Sequence, residues 1–140
     1  MTNNIEIIGV GNELLIGKIA NTNAQWLAKR ITITGLSVSR VTVIGDDITE
    51  ISTAILESLK RKPKMIITTG GLGPTFDDKT LEGISKALKR PLKVHPEAKK
   101  MIEDRYRRYL NEGRIEDEVE LTPPRVKMAT LPENSKPLLN

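Results

Sequence analysis

The sequence predicts an α/β fold with a mostly parallel sheet, and three observations carry that prediction. Three short apolar runs, Ile5 to Ile8, Val38 to Ile44 and Met65 to Thr69, read as strands. Segments with apolar residues at helical spacing separate them. No internal repeat or low-complexity linker interrupts the alternation. Strand and helix in alternation imply right-handed βαβ units and a mostly parallel sheet. The 140 residues are expected to form a single domain, 1–140, with a real core.

The first strand ends at Gly9, and Gly11 to Gly17 reads as a loop. Asn21 or Thr22 suits the cap of the first helix, whose buried stripe is Ala24, Leu27, Ala28 and Ile31. Gly35 fits the position just beyond its end. The second strand is rich in β-branched residues, Val41, Thr42, Val43 and Ile44. Asp46 to Thr49 leads into the second helix, with Ile51, Ala54, Ile55 and Leu59 on one face and Pro63 as its stop. After the third strand, the helix Lys79 to Leu88 turns Leu81, Ile84 and Leu88 inward. Pro96 opens a longer helix at its first turn, after His95 at the entry, and Gly113 ends it. Met101, Ile102, Tyr106, Tyr109 and Leu110 form its apolar side. Thr122-Pro-Pro124 starts a short helix, and Pro132 to Asn140 reads as loop. Trp26, at helical spacing, is expected in the core or a subunit interface.

Composition narrows the function classes. Apolar residues make up 38% and charged residues 29%, as in a soluble globular chain. No run approaches the ~20 apolar residues of a membrane span. The start lacks the features of a secretory signal, and there is no cysteine, so a cytoplasmic protein without disulfide or thiolate chemistry is expected. The net charge of +4 permits nucleic acid, but four aromatic residues offer few stacking surfaces, so nucleic acid is not the expected partner.

Three polar clusters follow the ends of the three strands: Gly11-Asn-Glu13, Gly45-Asp-Asp47 and Gly70 to Asp78. Ligands of open α/β sheets bind at that edge, where the strand order reverses. With a strand order of 2-1-3, Glu13 and the Gly70 loop flank one crevice and Asp46 lies beside it. The glycine-rich turn between strand and helix suits an anion. The adjacent Asp77 and Asp78 would repel that anion unless a cation lies between, which points to phosphate chemistry with a divalent metal. Asp78 and Asp46 also suit plainer uses, Asp78 as a helix cap and Asp46 in a turn. Thr75 and Thr80 are placed either to donate hydroxyls to phosphate or to bond nearby backbone.

Other motifs fail. Gly9-Val-Gly11 starts a dinucleotide fingerprint, but Leu14 stands at the third glycine position. Gly70 to Thr75 lacks the lysine of a nucleoside-triphosphate P-loop. The single histidine precludes a Ser-His-Asp triad away from His95 and any HExxH site.

Thr69-Gly-Gly-Leu-Gly-Pro-Thr-Phe-Asp-Asp78, followed by Lys79-Thr80, resembles the Thr-Gly-Gly-x-Gly…Asp-x-Thr signature of the MoaB/Mog-type molybdenum-cofactor biosynthesis domain. The fuller pattern Gly-Gly-Leu-Gly-Pro-Thr-x-Asp-Asp-x-Thr is similar to the amino-terminal domain of the competence-damage-inducible CinA family. Glu6 to Gly17, Asn23, Val43 to Asp47 and Ala129 to Glu133 match that family in order. The resemblance implies a three-layer α/β/α fold and a homo-oligomer, dimer or trimer. It implies molybdopterin binding and adenylyl transfer in the cofactor-synthesis branch, with Asp46 and Asp78 catalytic. It implies metal-dependent cleavage of the ADP-ribose pyrophosphate in the CinA branch. The family's carboxy-terminal deamidase domain is absent from this sequence, so that activity is not expected. The family continues past the position of Asn140 into a Gly-Thr-Ala-Pro-Gly-like segment, so the domain is expected to be truncated at that end.

The resulting expectation is a site with catalytic Asp46, Asp78 and Glu13. Gly11, Asn12, Asn23, Thr69, Gly70, Gly71, Gly73, Pro74, Thr75 and Thr80 would hold a nucleotide or pterin phosphate. Asp77 and Asp78 would hold a divalent cation, Mg, Mn or Co. The expected activity is an ADP-ribose pyrophosphatase. The alternative is a molybdopterin- or nucleotide-binding module, or a molybdopterin adenylyltransferase-like protein.

Overall fold

The computed structural model of the chain describes residues 3–116 and 121–138. The expected loop-like tail runs to Asn140, and its last two residues lie outside the described ones. Strand β1 (Asn4–Val10) is central, with β2 (Ser37–Ile44) on one side and β3 (Met65–Thr69) on the other, both parallel to it. The order β2-β1-β3 is the one the site argument requires. Ile7 sits opposite Val41 on one side and Ile67 on the other. A strand flanked and covered on both faces must be apolar almost throughout, and Ile5, Ile7, Ile8 and Val10 are all buried.

Alternation along β1 sends successive side chains to opposite faces. Ile5 and Ile7 meet Ala24, Leu27 and Ile31 of α2 (Thr22–Ile33). Ile8 and Val10 meet Ile51 and Ile55 of α3 (Ile48–Lys60) and Ala87 of α4 (Thr80–Leu88). The result is helix, sheet and helix in three layers. Asn21 caps α2 by accepting from the Ala24 N–H at 3.3 Å. Asp47 caps α3, taking the Thr49 and Glu50 N–H groups, each at 2.9 Å.

One buried residue of β1 is charged. Glu6 accepts from Ser58 Oγ, Arg61 Nε and Arg61 Nη2, each at 2.7 Å. A buried carboxylate is tolerated only with its lone pairs matched in this way. This network displaces an expected contact. Ser58, fully buried, takes the place on the inner face of α3 expected for Leu59, which is 43% exposed. Leu88, also expected inward, lies at the end of its helix and is exposed, while Thr80, Gly83 and Ala87 face in. Trp26 is not in the core; its exposed ring lies 5.2 Å from the Arg30 guanidinium.

The long helix α5 (Pro96–Asn111) begins at His95, whose Nδ1 accepts from the Ala98 N–H. Two short strands were not expected. β4 (Leu92–Val94) and β5 (Thr130–Pro132) pair antiparallel, with Lys93 opposite Leu131. Three-residue strands are too short to display an alternation, and β5 contains proline, which is confined to strand edges. Between α5 and β5 lies α6 (Pro123–Met128), opened by the expected prolines. Helix α1 (Asn12–Leu15) occupies part of the segment expected as loop. Among the described residues no helix is long and apolar enough to cross a membrane.

Candidate functional site

The Gly70 loop leaves the end of β3 and runs back past the end of β1. Gly70 has φ +86°, and a Cβ there would stand 2.1 Å from the Val10 carbonyl oxygen. Only glycine permits that approach of loop to strand. The fully buried Thr80 fixes the loop from the other side. Its hydroxyl donates to the Gly70 carbonyl at 2.8 Å and its N–H to the Gly71 carbonyl at 3.2 Å. Of the two uses open to Thr80, the structure displays the backbone one; the expected phosphate contact finds no exposed surface on this residue.

Thr75, Asp77 and Asp78 form a compact group. Asp78 Oδ2 accepts from the Thr75 N–H at 2.9 Å and lies 2.6 Å from the Thr75 hydroxyl. Asp77 Oδ1 lies 2.5 Å from the same hydroxyl. A threonine hydroxyl has one proton to donate, so it serves one of the two carboxylates at a time. Burial raises the Asp78 carboxyl. The Thr75 hydroxyl, the Thr75 and Gly73 N–H groups and the charge of Lys127 outweigh that, and hold it below its ordinary value. Gly73 lies against this carboxylate, which fills the space a side chain would take. Phe76, between Thr75 and the two aspartates, is 86% exposed.

The ends of β1 and β2 are joined by a reciprocal pair. The Asn12 N–H donates to Asp46 Oδ2 at 2.9 Å, and the Asp46 N–H donates to Asn12 Oδ1 at 3.1 Å. The Gly11 N–H donates to the Ile44 carbonyl, and the Glu13 carboxylate folds back over Gly11. The three clusters therefore gather at the expected edge, with Val10 and Gly70 in contact. They form two hydrogen-bonded groups, Asn12 with Asp46 and Thr75 with Asp77 and Asp78. No hydrogen bond joins these groups among the described residues. Among those residues, no set of three or more His, Cys, Asp and Glu side chains converges on one point. Asp77 and Asp78 are two carboxylates, a set that suits a cation whose other ligands are substrate oxygens and water.

Thr69 ends β3 opposite Gly9, and Pro74 is half-buried in the loop. Asn23 stands apart. It lines a surface depression with Thr22, Gln25, Trp26 and Lys29, away from the loop residues. A residue missed in the sequence completes the loop instead. Lys127 of α6 donates through Nζ to the carbonyls of Thr75 and Asp78. With Gly71, Gly73, Asp78 and Glu82 it borders a pocket of about 120 Å³. A lysine some fifty residues downstream carries no local signal of such a contact.

Residues 6–137 match the family described as "Probable molybdopterin binding domain". A protein of Sulfurisphaera tokodaii is 47% identical over 135 residues, which cover 96% of this chain and 48% of that protein. A protein of Pyrococcus horikoshii is 44% identical over 135 residues, covering 96% of this chain and 52% of that one. The chain thus spans about half the length of the curated relatives it matches. The crystal structure of CinA from Thermoplasma acidophilum, a protein of unknown function, superposes with TM-score 0.85 at 37% identity, over 99% of this chain and 76% of that one. The tungsten cofactor synthesizing protein MoaB of Pyrococcus furiosus superposes with TM-score 0.57 at 21% identity, over 81% of this chain and 66% of that one, a likeness of fold alone. The chain belongs to the molybdopterin-binding domain family, with the MoaB/Mog-type fold, and to its CinA-like members.

Proposed function

We propose that this domain cleaves a nucleotide phosphoanhydride, as a metal-dependent ADP-ribose pyrophosphatase. The observation that carries the reading is the loop of Gly70 to Asp78. A glycine turn at the C-terminal edge of a parallel sheet carries two carboxylates at 2.5 and 2.6 Å from one hydroxyl. In this reading the N–H of Gly71 holds a phosphate, while that of Gly73 holds the Asp78 carboxylate. Asp78, kept ionised by its hydrogen bonds, and Asp77 hold a divalent cation. When bound, that cation supplies charge withdrawal from the phosphoryl oxygens and an acidified water. Glu13, at the end of β1, orients a water or a ribose hydroxyl. Water adds to one phosphorus, the bridging oxygen leaves with the other, and AMP and ribose 5-phosphate result. Most of the rate enhancement comes from positioning and fixed charge. Asp46, bonded to the Asn12 N–H, supports the edge beside the site.

The test is AMP release from ADP-ribose with and without Mg²⁺, Mn²⁺ or Co²⁺, using Asp78→Asn as the control. Metal-dependent release that the variant lacks supports the reading. No release with any of the metals refutes it.

A second reading is favoured by the family match over residues 6–137, namely a site for molybdopterin. Here the same loop holds a pterin phosphate, either without turnover or for adenylyl transfer. Titration with molybdopterin separates the two readings, since binding alone gives no metal-dependent release of AMP.

A further inference from the structure

We propose that Lys127 is a positioning residue, which holds the Thr75 to Asp78 turn by its main-chain carbonyls and so fixes where Asp77 and Asp78 are presented. The turn closes on itself through the Asp78 N–H, which donates to the Thr75 carbonyl at 3.3 Å. Lys127 Nζ donates to that same Thr75 carbonyl and, at 2.7 Å, to the Asp78 carbonyl. Two of the three ammonium donors are therefore committed to the main chain of the turn. Bonded to one ammonium, the Thr75 and Asp78 carbonyls are fixed relative to α6, and with them the turn that carries Asp77 and Asp78.

The choice of partner is informative. Asp77 and Asp78 lie in the same turn, yet Lys127 makes no salt bridge to either among the described residues. A surface lysine beside two carboxylates ordinarily neutralises one of them. Here the ammonium is bound to the main chain of the turn instead. The anchor is firm. Lys127 sits in α6 just before Ala129, which is fully buried, and β5, which pairs with β4. Lys127 thus links the loop of the parallel sheet to the small antiparallel one.

The inference about loop order is independent of the proposed reaction; its kinetic arm rests on that reading. The test compares Lys127→Met and Lys127→Arg in the 140-residue chain by hydrogen exchange of peptides covering residues 71–79. Lys127→Met removes two charge-assisted hydrogen bonds and is expected to speed exchange there by about tenfold or more, and to leave β1 and α3 unchanged. Lys127→Arg, which can still donate to two carbonyls, is expected to restore most of the protection. In AMP release from ADP-ribose, Lys127→Met should lower turnover, and Lys127→Arg should restore most of it. Unchanged exchange in Lys127→Met overturns the proposal, as does faster exchange spread evenly over the chain. Local loosening in a protein whose wild type leaves ADP-ribose intact upholds the positioning role and refutes the pyrophosphatase reading.

Discussion

Replacing Gly70 by alanine tests the backbone logic of the site. Two effects add. Gly70 sits at φ +86°, and a residue with a Cβ loses about 1–2 kcal/mol in the left-handed region. The new Cβ would also stand 2.1 Å from the Val10 carbonyl oxygen. That oxygen belongs to the central buried strand and cannot turn aside like a flexible side chain. The loop must move by about 1 Å to reach an ordinary contact, and overpacking of this kind costs about 1–3 kcal/mol. The sum, about 2–5 kcal/mol, is a large part of the 5–15 kcal/mol roughly typical of a whole domain. The control is Gly17→Ala. Gly17 has φ +70° and nothing within 4 Å of its would-be Cβ, so it carries the conformational effect without the clash. Both substitutions restrict the unfolded chain equally, so the difference between them isolates the contact with Val10. Urea unfolding followed by circular dichroism should place Gly70→Ala about 1–3 kcal/mol below Gly17→Ala. Equal stability of the two variants would refute the argument that the loop is held against β1.

Three other outcomes are expected. Glu6→Gln weakens the buried pairing with Arg61 and Ser58 and should lower stability near neutral pH by about 2–3 kcal/mol in urea titrations. The Arg61 hydrogen bonds hold the Glu6 carboxyl below its ordinary range, so its contribution is full above the unfolded value and fades as pH falls through the folded one; the gap between variant and wild type should close in acid. Thr80→Val keeps the shape but leaves the Gly70 carbonyl without its donor, and should lower the melting temperature by an amount equivalent to about 1–2 kcal/mol; an unchanged melting temperature would show that this hydrogen bond contributes nothing. In the proposed reaction, Asp78→Asn should cut turnover by about 100-fold or more, the scale of losing one fixed electrostatic stabiliser, with little change in melting temperature. The acidic limb of the wild-type pH profile should lie below the ordinary aspartate range, because the hydrogen bonds to Asp78 outweigh its burial.

The parallel sheet and its helices were legible because their signals are local and repeated. Ile5 to Ile8 is apolar because both faces of β1 are covered, and Asn21 and Asp47 cap helices with the side chains that capping favours. The clustering of Gly11 to Glu13, Asp46 and Gly70 to Asp78 followed from strand order alone, once the order was assumed. What remained hidden depends on contacts distant in sequence. The exposure of Leu59 follows from Ser58 bonding to Glu6, 52 residues earlier, and apolar periodicity has no means of preferring serine over leucine at a buried position. The β4–β5 pair consists of three-residue strands, one of them containing Pro132. Lys127 looks like any lysine in a short amphipathic helix until its partners are known.

The carboxylates at the sheet edge have separate assignments in the structure, and this changes how the site is to be read. In sequence, Asp46 belongs to a polar cluster of its own, expected beside the crevice that carries Asp77 and Asp78. In the fold, Asp46 lies against the Asn12 N–H and closes the gap between the ends of β1 and β2. Asp47, beside it, caps α3. Only Asp77 and Asp78 share a hydroxyl and are free of salt bridges among the described residues. Their mutual repulsion is offset by the N–H groups that donate to Asp78 and by the charge of Lys127. A turn built only to connect β3 with α4 would gain from a lysine bonded directly to one aspartate, because that removes the repulsion outright. The turn instead has Lys127 on its carbonyl oxygens, while the adjacent Lys79 pairs with Glu82. In the proposed reaction, Asp77 and Asp78, more than Asp46, are therefore the pair on which the chemistry should depend.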